Sequence, residues 1–432
     1  MQLGKQPAHG AGILRVAHYP AVQEWQSAEV LAMLSEVKGA RQTEGAAVST
    51  MKAAQGRLHA RLRAARENTA ALADRLGVLV ACESPAGAAP QLENCAELLA
   101  GWGEAVLGRP AQRASDGGLP HLLWPAPDGG ILLLGHFDTV WPAGTIKQWP
   151  YAVAGGRASG PGACDMKGGI VQMLAALDML ADPSRVGVLL TCDEESGSGT
   201  SRALIEEQAR RSAAVLVCEP SMPDGSLKVA RKGGSAYQLM ISGRAAHAGV
   251  EPHLGINATV ELAHQVITVL DLADPANGTS VTPTVVSGGT TTNTVPAEAT
   301  VAIDVRAWNS GELDRVDQAL QRLSARLPGA VLTLGGGLNR SPMPAENALP
   351  LLAMARAAAI DLGLTAPEGA HAPGASDGNF TGALGIPTLD GLGAVGDGSH
   401  ARGEYVDVAL LPDRAALLAG LVERLLDEPG RP

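Results

Sequence analysis

Residues 131–140 read ILLLGHFDTV, and they decide the architecture. Ile131–Leu134 is an apolar run of strand length without polar alternation, the pattern of a strand covered on both faces. The run leads into His136 and Asp138, two residues apart, so both project from one face at the strand's carboxyl end. Two more such runs follow, Val186–Leu190 and Val215–Val217. Between the first two lies a helical pattern, Gly168–Leu180, with Ile170, Val171, Leu174, Leu177 and Leu180 on one side. Further helices are expected over Ala21–Val37, Gln55–Leu76, Gln91–Leu107, Leu349–Leu362 and Ala409–Leu426, with an apolar segment at Ile386–Leu392. Strands alternating with helices give an α/β sheet.

The periodicity changes between about Lys232 and Leu338. Ala236–Gly243 alternates as a strand, Ile256–Leu272 is an amphipathic helix, and Ser280–Ser287 and Ala299–Ala307 are strands. Gly311–Leu327 reads as helix and Ala330–Leu334 as strand. The order βαββαβ is the ferredoxin-like unit. The economical reading is one α/β domain, residues 61–231 and 339–432, interrupted by a small α+β insert, residues 232–338. Residues 1–60 form an extension to which no role is assigned.

The chain is too long for one ordinary core, which fits two domains. At 46% hydrophobic and 18% charged residues it has the composition of a globular chain rather than a disordered one. A net charge of −11 argues against nucleic acid or an anionic membrane as partner, since phosphate is bound by Lys and Arg clusters. No apolar run approaches the roughly 20 residues that span a bilayer, and the first residues lack a basic-then-apolar leader. A cytoplasmic location is expected. The five cysteines form no CxxC pair and read as reduced, mostly buried thiols.

Acidic groups gather where the buried strands end. AspMetLysGlyGly starts at Asp165 at the mouth of a helix, AspGluGlu occupies 193–195 after the second strand, and Glu219 follows the third. Ligands of open α/β sheets bind at this edge. One acidic pair or one histidine after a strand is commonly a solvated turn or a cap. Several carboxylates converging without cations would repel one another and raise their pKa values, and divalent metals remove that conflict. His mixed with Asp and Glu suits Zn²⁺ better than Mg²⁺.

GlyHisPheAspThrVal (135–140), GlyProGlyAlaCysAspMetLysGlyGly (160–169), ThrCysAspGluGluSerGlySerGlyThr (191–200), CysGluPro (218–220) and SerHisAlaArgGlyGluTyrVal (399–406) stand in a recognisable order. In order and spacing they resemble the family of acetylornithine deacetylase, succinyl-diaminopimelate desuccinylase, aminoacylase and the glutamate carboxypeptidases. The likeness is greatest to the last and runs from about residue 65 to the C-terminus. It implies a zinc-peptidase-type α/β catalytic domain with a mixed sheet and a ferredoxin-like lid and dimerisation insert.

The resemblance also implies roles. Asp165 bridges two Zn²⁺ ions per subunit (Co²⁺ can substitute), one completed by His136 and Glu219, the other by Glu195 and His400. Glu194 is the general base for a water between the metals, and Asp138 orients His136. The Asp165–Met166 peptide bond is expected to be cis. In the insert, His247 resembles the oxyanion-stabilising histidine, which in relatives can come from the partner subunit. Asn293 and Arg306 resemble the substrate-carboxylate contacts, Arg340 is a further candidate, and Gly374 opens a loop (374–377) that closes the pocket. Arginine's planar fork suits a carboxylate. The expected substrate is a small peptide or N-acyl amino acid, cut by a metallo-carboxypeptidase at a C-terminal, acidic residue or by a deacylase. A homodimer through the insert and closure about Lys232 and Leu338 are expected. A di-zinc aminopeptidase is disfavoured on the ground that such enzymes lack the insert.

Overall fold

The computed structural model describes residues 56–427. The helix expected over Ala21–Val37 lies outside them. The central sheet has six strands in the order Gln112–Asp116, Leu119–Trp124, Val186–Thr191, Gly130–His136, Ser212–Val217, Thr388–Leu389. The last four run parallel to one another and the first two are antiparallel to their neighbours, so the sheet is mixed. All three apolar runs are strands, and every residue of Gly130–His136 and Val186–Thr191 is buried.

Alternation within the first strand feeds two cores. Ile131 and Leu133 face the larger one with the helices Thr69–Ala81, Ala89–Leu107, Gly168–Met179 and Leu411–Asp427. Leu132 and Leu134 face the smaller one with Ile205, Ala209 and Phe380. Each such side chain contributes about 1.5–3 kcal/mol on burial. His136 falls in step with Leu132 and Leu134, and Glu219 in step with Val215 and Val217, so both emerge on the same side of the sheet.

The insert is a four-stranded antiparallel sheet in the order Ser280–Gly288, Glu298–Ala307, Gly233–Ser242, Val331–Arg340. The helices Ala258–Leu270 and Ser310–Gln321 complete the ferredoxin-like connectivity. A separate core of Leu239, Ile241, Leu262, Val301, Ile303, Val305, Val316 and Leu320 holds it together. Asn257 and Asn309 cap the two helices by accepting backbone N–H bonds, worth about 1 kcal/mol each.

Several expectations need correction. The second insert helix ends at Gln321 rather than Leu327, and the last strand runs on to Arg340 rather than stopping at Leu334. Gly335–Gly337 breaks the apolar alternation there. At Gly336, φ is +91° and a Cβ would lie 2.2 Å from the Ala236 carbonyl oxygen, so glycine is what lets the strands pair. Only Thr388–Leu389 of Ile386–Leu392 is strand. The hairpin Gln112–Asp116/Leu119–Trp124 carried no apolar alternation in its outer strand and was not anticipated. Nor was a small sheet ordered Gly396–Asp397, Tyr405–Asp407, Arg157–Ser159, Ala152–Ala154, whose first two strands flank the His400 loop. Among the described residues no helix is long and apolar enough to cross a membrane.

Candidate metal centre and active site

The first strand delivers His136, buried, to the sheet's carboxyl edge. Its Nδ1 lies 3.1 Å from the Asp138 carbonyl oxygen and 3.4 Å from Asp138 Oδ1. Its Nε2 lies 3.4 Å from Asp165 Oδ1 and 3.2 Å from Glu219 Oε1, yet makes no hydrogen bond with either. With the ring proton on Nδ1, Nε2 turns a lone pair toward two carboxylates. That arrangement calls for a cation in the gap. Asp165 Oδ2 faces the other way, 3.5 Å from His400 Nε2, and His400 Nε2 is 3.1 Å from Glu195. Ligand atoms of His136, Asp165 and Glu195 all lie within 4.8 Å of one another. The donor set therefore fits a divalent metal site, with Asp165 presenting one oxygen to each histidine.

Charge is concentrated here. Burial opposes charging His136, but Asp138, Asp165 and Glu219 outweigh it and raise its pKa well above the ordinary value. Asp165 and Glu195 push His400 up to about 10. Without metal, the cluster draws protons onto its histidines as substitute cations.

Close packing brings the pieces together. A Cβ on Gly169 would sit 2.0 Å from the Cys218 carbonyl oxygen, so only glycine lets the start of the helix Gly168–Met179 meet the segment bearing Glu219. Glu404, fully buried, accepts the N–H of Cys164 at 2.8 Å, that of Asp165 at 3.3 Å and Trp141 Nε1–H at 2.9 Å. It ties the His400 loop to the Asp165 loop. The Asp165–Met166 peptide bond is cis. His400 has φ +63°, a left-handed backbone that turns its ring toward Asp165 and Glu195.

Glu194 and Glu195 lie on a short turn held from two sides. The Asp138 carboxylate accepts the N–H of Glu194 at 3.2 Å and of Glu195 at 3.0 Å. Opposite, Asn339 Nδ2 donates to the Gly197 carbonyl at 3.0 Å, and Arg340 Nη2 donates to Glu194 Oε1 at 3.0 Å. Burial, abetted by Asp377 and Glu219, lifts the Glu194 carboxyl well above its usual range despite Arg340 and His136. A largely buried carboxylate of raised basicity beside a metal-ligand cluster can accept a proton from water.

The candidates in the insert sit elsewhere. His247 is exposed, its Nδ1 accepting the N–H groups of Gly249 and Val250. Its loop meets that of Asn293, whose carbonyl accepts the Ala248 N–H at 2.9 Å. Arg306, 37% exposed at its side chain, pairs with Asp304 on its own strand at 2.8 Å. None of the three bonds to the acidic cluster among the described interactions. Arg340, by contrast, is buried against Glu194, and the Gly374 carbonyl accepts Arg231 Nη1 at 3.1 Å. Sequence reasoning passed over Arg231, which bonds Asp390 through Nε at 2.7 Å and Nη2 at 2.9 Å and approaches Glu219 at 3.8 Å. Nothing local signals it. Glu404 was within reach, four residues after His400 in a quoted motif. All five cysteines are free.

Residues 132–424 match the model of peptidase family M20/M25/M40. The chain belongs to that family. It is 33% identical over 302 residues to carboxypeptidase G2 of Pseudomonas sp. strain RS-16, covering 68% of this chain and 73% of that one. To the succinyl-diaminopimelate desuccinylase of Xanthomonas campestris pv. campestris strain B100 it is 31% identical over 337 residues, covering 70% and 86%. Among solved structures, an M20 family metallo-carboxypeptidase from Sulfolobus solfataricus superposes with a TM-score of 0.66 at 18% identity, over 81% of this chain and 98% of that one. An aminopeptidase from Bacillus cereus ATCC 10987 gives 0.64 at 21%, over 83% and 99%. That coverage is too wide for the insert to fall outside it, so the insert does not by itself set aminopeptidases aside. As an M20 peptidase or amidohydrolase, the chain is a hydrolase of a family that is typically metal-dependent.

Proposed function

We propose that this M20 hydrolase binds two Zn²⁺ ions and removes a C-terminal, acidic amino acid from a small peptide or N-acyl amino acid. The observation that carries the proposal is the division of Asp165 between two histidines, one oxygen toward His136 and one toward His400. His136, Glu219 and Asp165 would hold one ion, and Asp165, Glu195 and His400 the other. When bound, the pair supplies Lewis acidity, polarising the scissile carbonyl and acidifying water. Glu194 takes the proton of the attacking water and passes it to the leaving nitrogen. Asp138 keeps both glutamates in place by accepting their N–H groups. Arg306 and Asn293 hold the substrate's α-carboxylate, and His247 steadies the developing oxyanion when the insert closes. The Gly374 loop borders the pocket.

Carboxypeptidase action is supported by the likeness to carboxypeptidase G2. The desuccinylase relatives, matched over 86% of their length in one case, support a second reading, deacylation of an N-acyl amino acid by the same chemistry. A homodimer through the insert is supported by its edge strand Ser280–Gly288, where Val285 and Val286 are 66% and 58% exposed. The test is amine release by the zinc-loaded protein on a panel of dipeptides, N-acyl amino acids and their amidated forms, before and after chelation. Chelation should abolish turnover and Zn²⁺ or Co²⁺ restore it. Active protein holding well under one zinc per chain would refute the dinuclear reading, and equal cleavage of amidated substrates would refute the carboxylate anchor.

A further inference from the structure

The end of the strand Val331–Arg340 and the loop 374–377 meet at the turn that carries Glu194, around one guanidinium nitrogen. Arg340 Nη2 lies 3.0 Å from Glu194 Oε1, 3.2 Å from the Glu194 carbonyl oxygen, 2.7 Å from Ser198 Oγ and 3.1 Å from Asp377 Oδ1. That nitrogen has only two protons, so four acceptors divide them and a bond strengthened to one is weakened to another. Asp377 is itself fixed. Ser198 Oγ donates to its Oδ1, and Thr191 Oγ1 donates to its Oδ2 at 3.0 Å. It is 3% exposed, bonds none of the five candidate metal ligands and does not open to solvent. The buried guanidinium thus stands between two carboxylates, one with a proposed chemical task and one without.

We propose that Asp377 is a positioning residue for the general base, acting through Arg340. By claiming a share of Nη2, Asp377 limits Arg340's hold on Glu194 Oε1 and leaves that carboxylate able to turn to the attacking water. Removing the charge at 377 leaves Arg340 a single carboxylate partner. Arg340 then closes on Glu194 and holds it out of use. The inference rests on Glu194 being the base.

Asp377→Asn keeps the size of the side chain and an acceptor for one of its hydroxyl partners. The experiment measures kcat, KM and zinc per chain on whichever substrate the wild type turns over best, in a double-mutant cycle with Glu194→Gln. We expect kcat to fall about 10–100-fold, the usual effect of losing a partner one step behind the reacting groups, with KM and zinc content little changed. In the Glu194→Gln background the same substitution should be silent, because the group it acts on is gone. An unchanged kcat, or the same loss in both backgrounds, overturns the proposal. If Asp377→Asn does not fold, Ser198→Ala enters the same cycle, since it removes a donor to Asp377 and an acceptor of Arg340. A smaller kcat loss that vanishes with Glu194→Gln is then expected, and an additive loss overturns the idea. Full activity in Glu194→Gln alone is a separate result that sinks the base assignment itself.

Discussion

Asp138→Asn separates two tasks that one side chain performs. In the wild type Oδ1 takes the Glu194 N–H, Oδ2 takes the Glu195 N–H, and Oδ1 also lies 3.4 Å from His136 Nδ1. Asparagine keeps one acceptor and turns an NH₂ toward the other backbone N–H, so one charge-assisted bond is lost and one amide is left facing a donor. That costs about 3 kcal/mol, which lowers Tm by roughly 3–4 °C in a chain of this size. The turn carrying Glu194 loosens, and kcat should fall about 10–100-fold. His136 is affected less, because its Nδ1 also has the Asp138 backbone carbonyl at 3.1 Å, which the substitution leaves in place. Zinc affinity should therefore drop by a smaller factor than kcat. Differential scanning fluorimetry, kcat at saturating substrate and zinc titration against a chromophoric chelator give the three quantities. A variant that loses zinc more steeply than kcat, or that keeps a wild-type Tm, would show that the carboxylate does not clamp the turn.

Glu404→Ala removes the acceptor of two backbone N–H groups beside Asp165 and of the Trp141 indole, so zinc content should fall by half or more; normal zinc with normal kcat would refute that role. Gly169→Ala drives a Cβ to within 2.0 Å of the Cys218 carbonyl oxygen and should yield protein of clearly lowered Tm and depleted zinc, checked by melting and elemental analysis. Arg306→Ala should raise KM for free-acid substrates while sparing zinc content and activity on amidated ones, and an equal effect on both kinds would remove Arg306 from substrate recognition.

The elements whose signal is local were legible. His136 and Asp138 could be placed on one face because a strand has period two, and the insert's order followed from its alternating segments. What escaped depends on partners distant in the chain. The polar outer strand Gln112–Asp116 is strand only because Leu119–Trp124 pairs with it. The last insert strand was cut short at a run of glycines that reads as a loop until the neighbouring backbone is seen to need the space. Arg340 stood out in sequence only as a possible carboxylate anchor. Its attachment to Glu194, Ser198 and Asp377 is a product of the fold.

The chain enters and leaves the four-stranded sheet side by side. Arg340 pairs opposite Gly234, and Arg231 and Met343 exchange backbone hydrogen bonds at 3.2 and 3.0 Å. The module thus hangs from one two-stranded ribbon, and all five candidate metal ligands lie outside it. Such an attachment makes it a cassette. A tight Asn-Gly turn joining Lys232 to Pro342 could close the ribbon where it leaves the core, without cutting the central mixed sheet. Modules from relatives could be grafted at the same two points, provided that they bring back the amide and guanidinium that Asn339 and Arg340 set against the Glu194 turn.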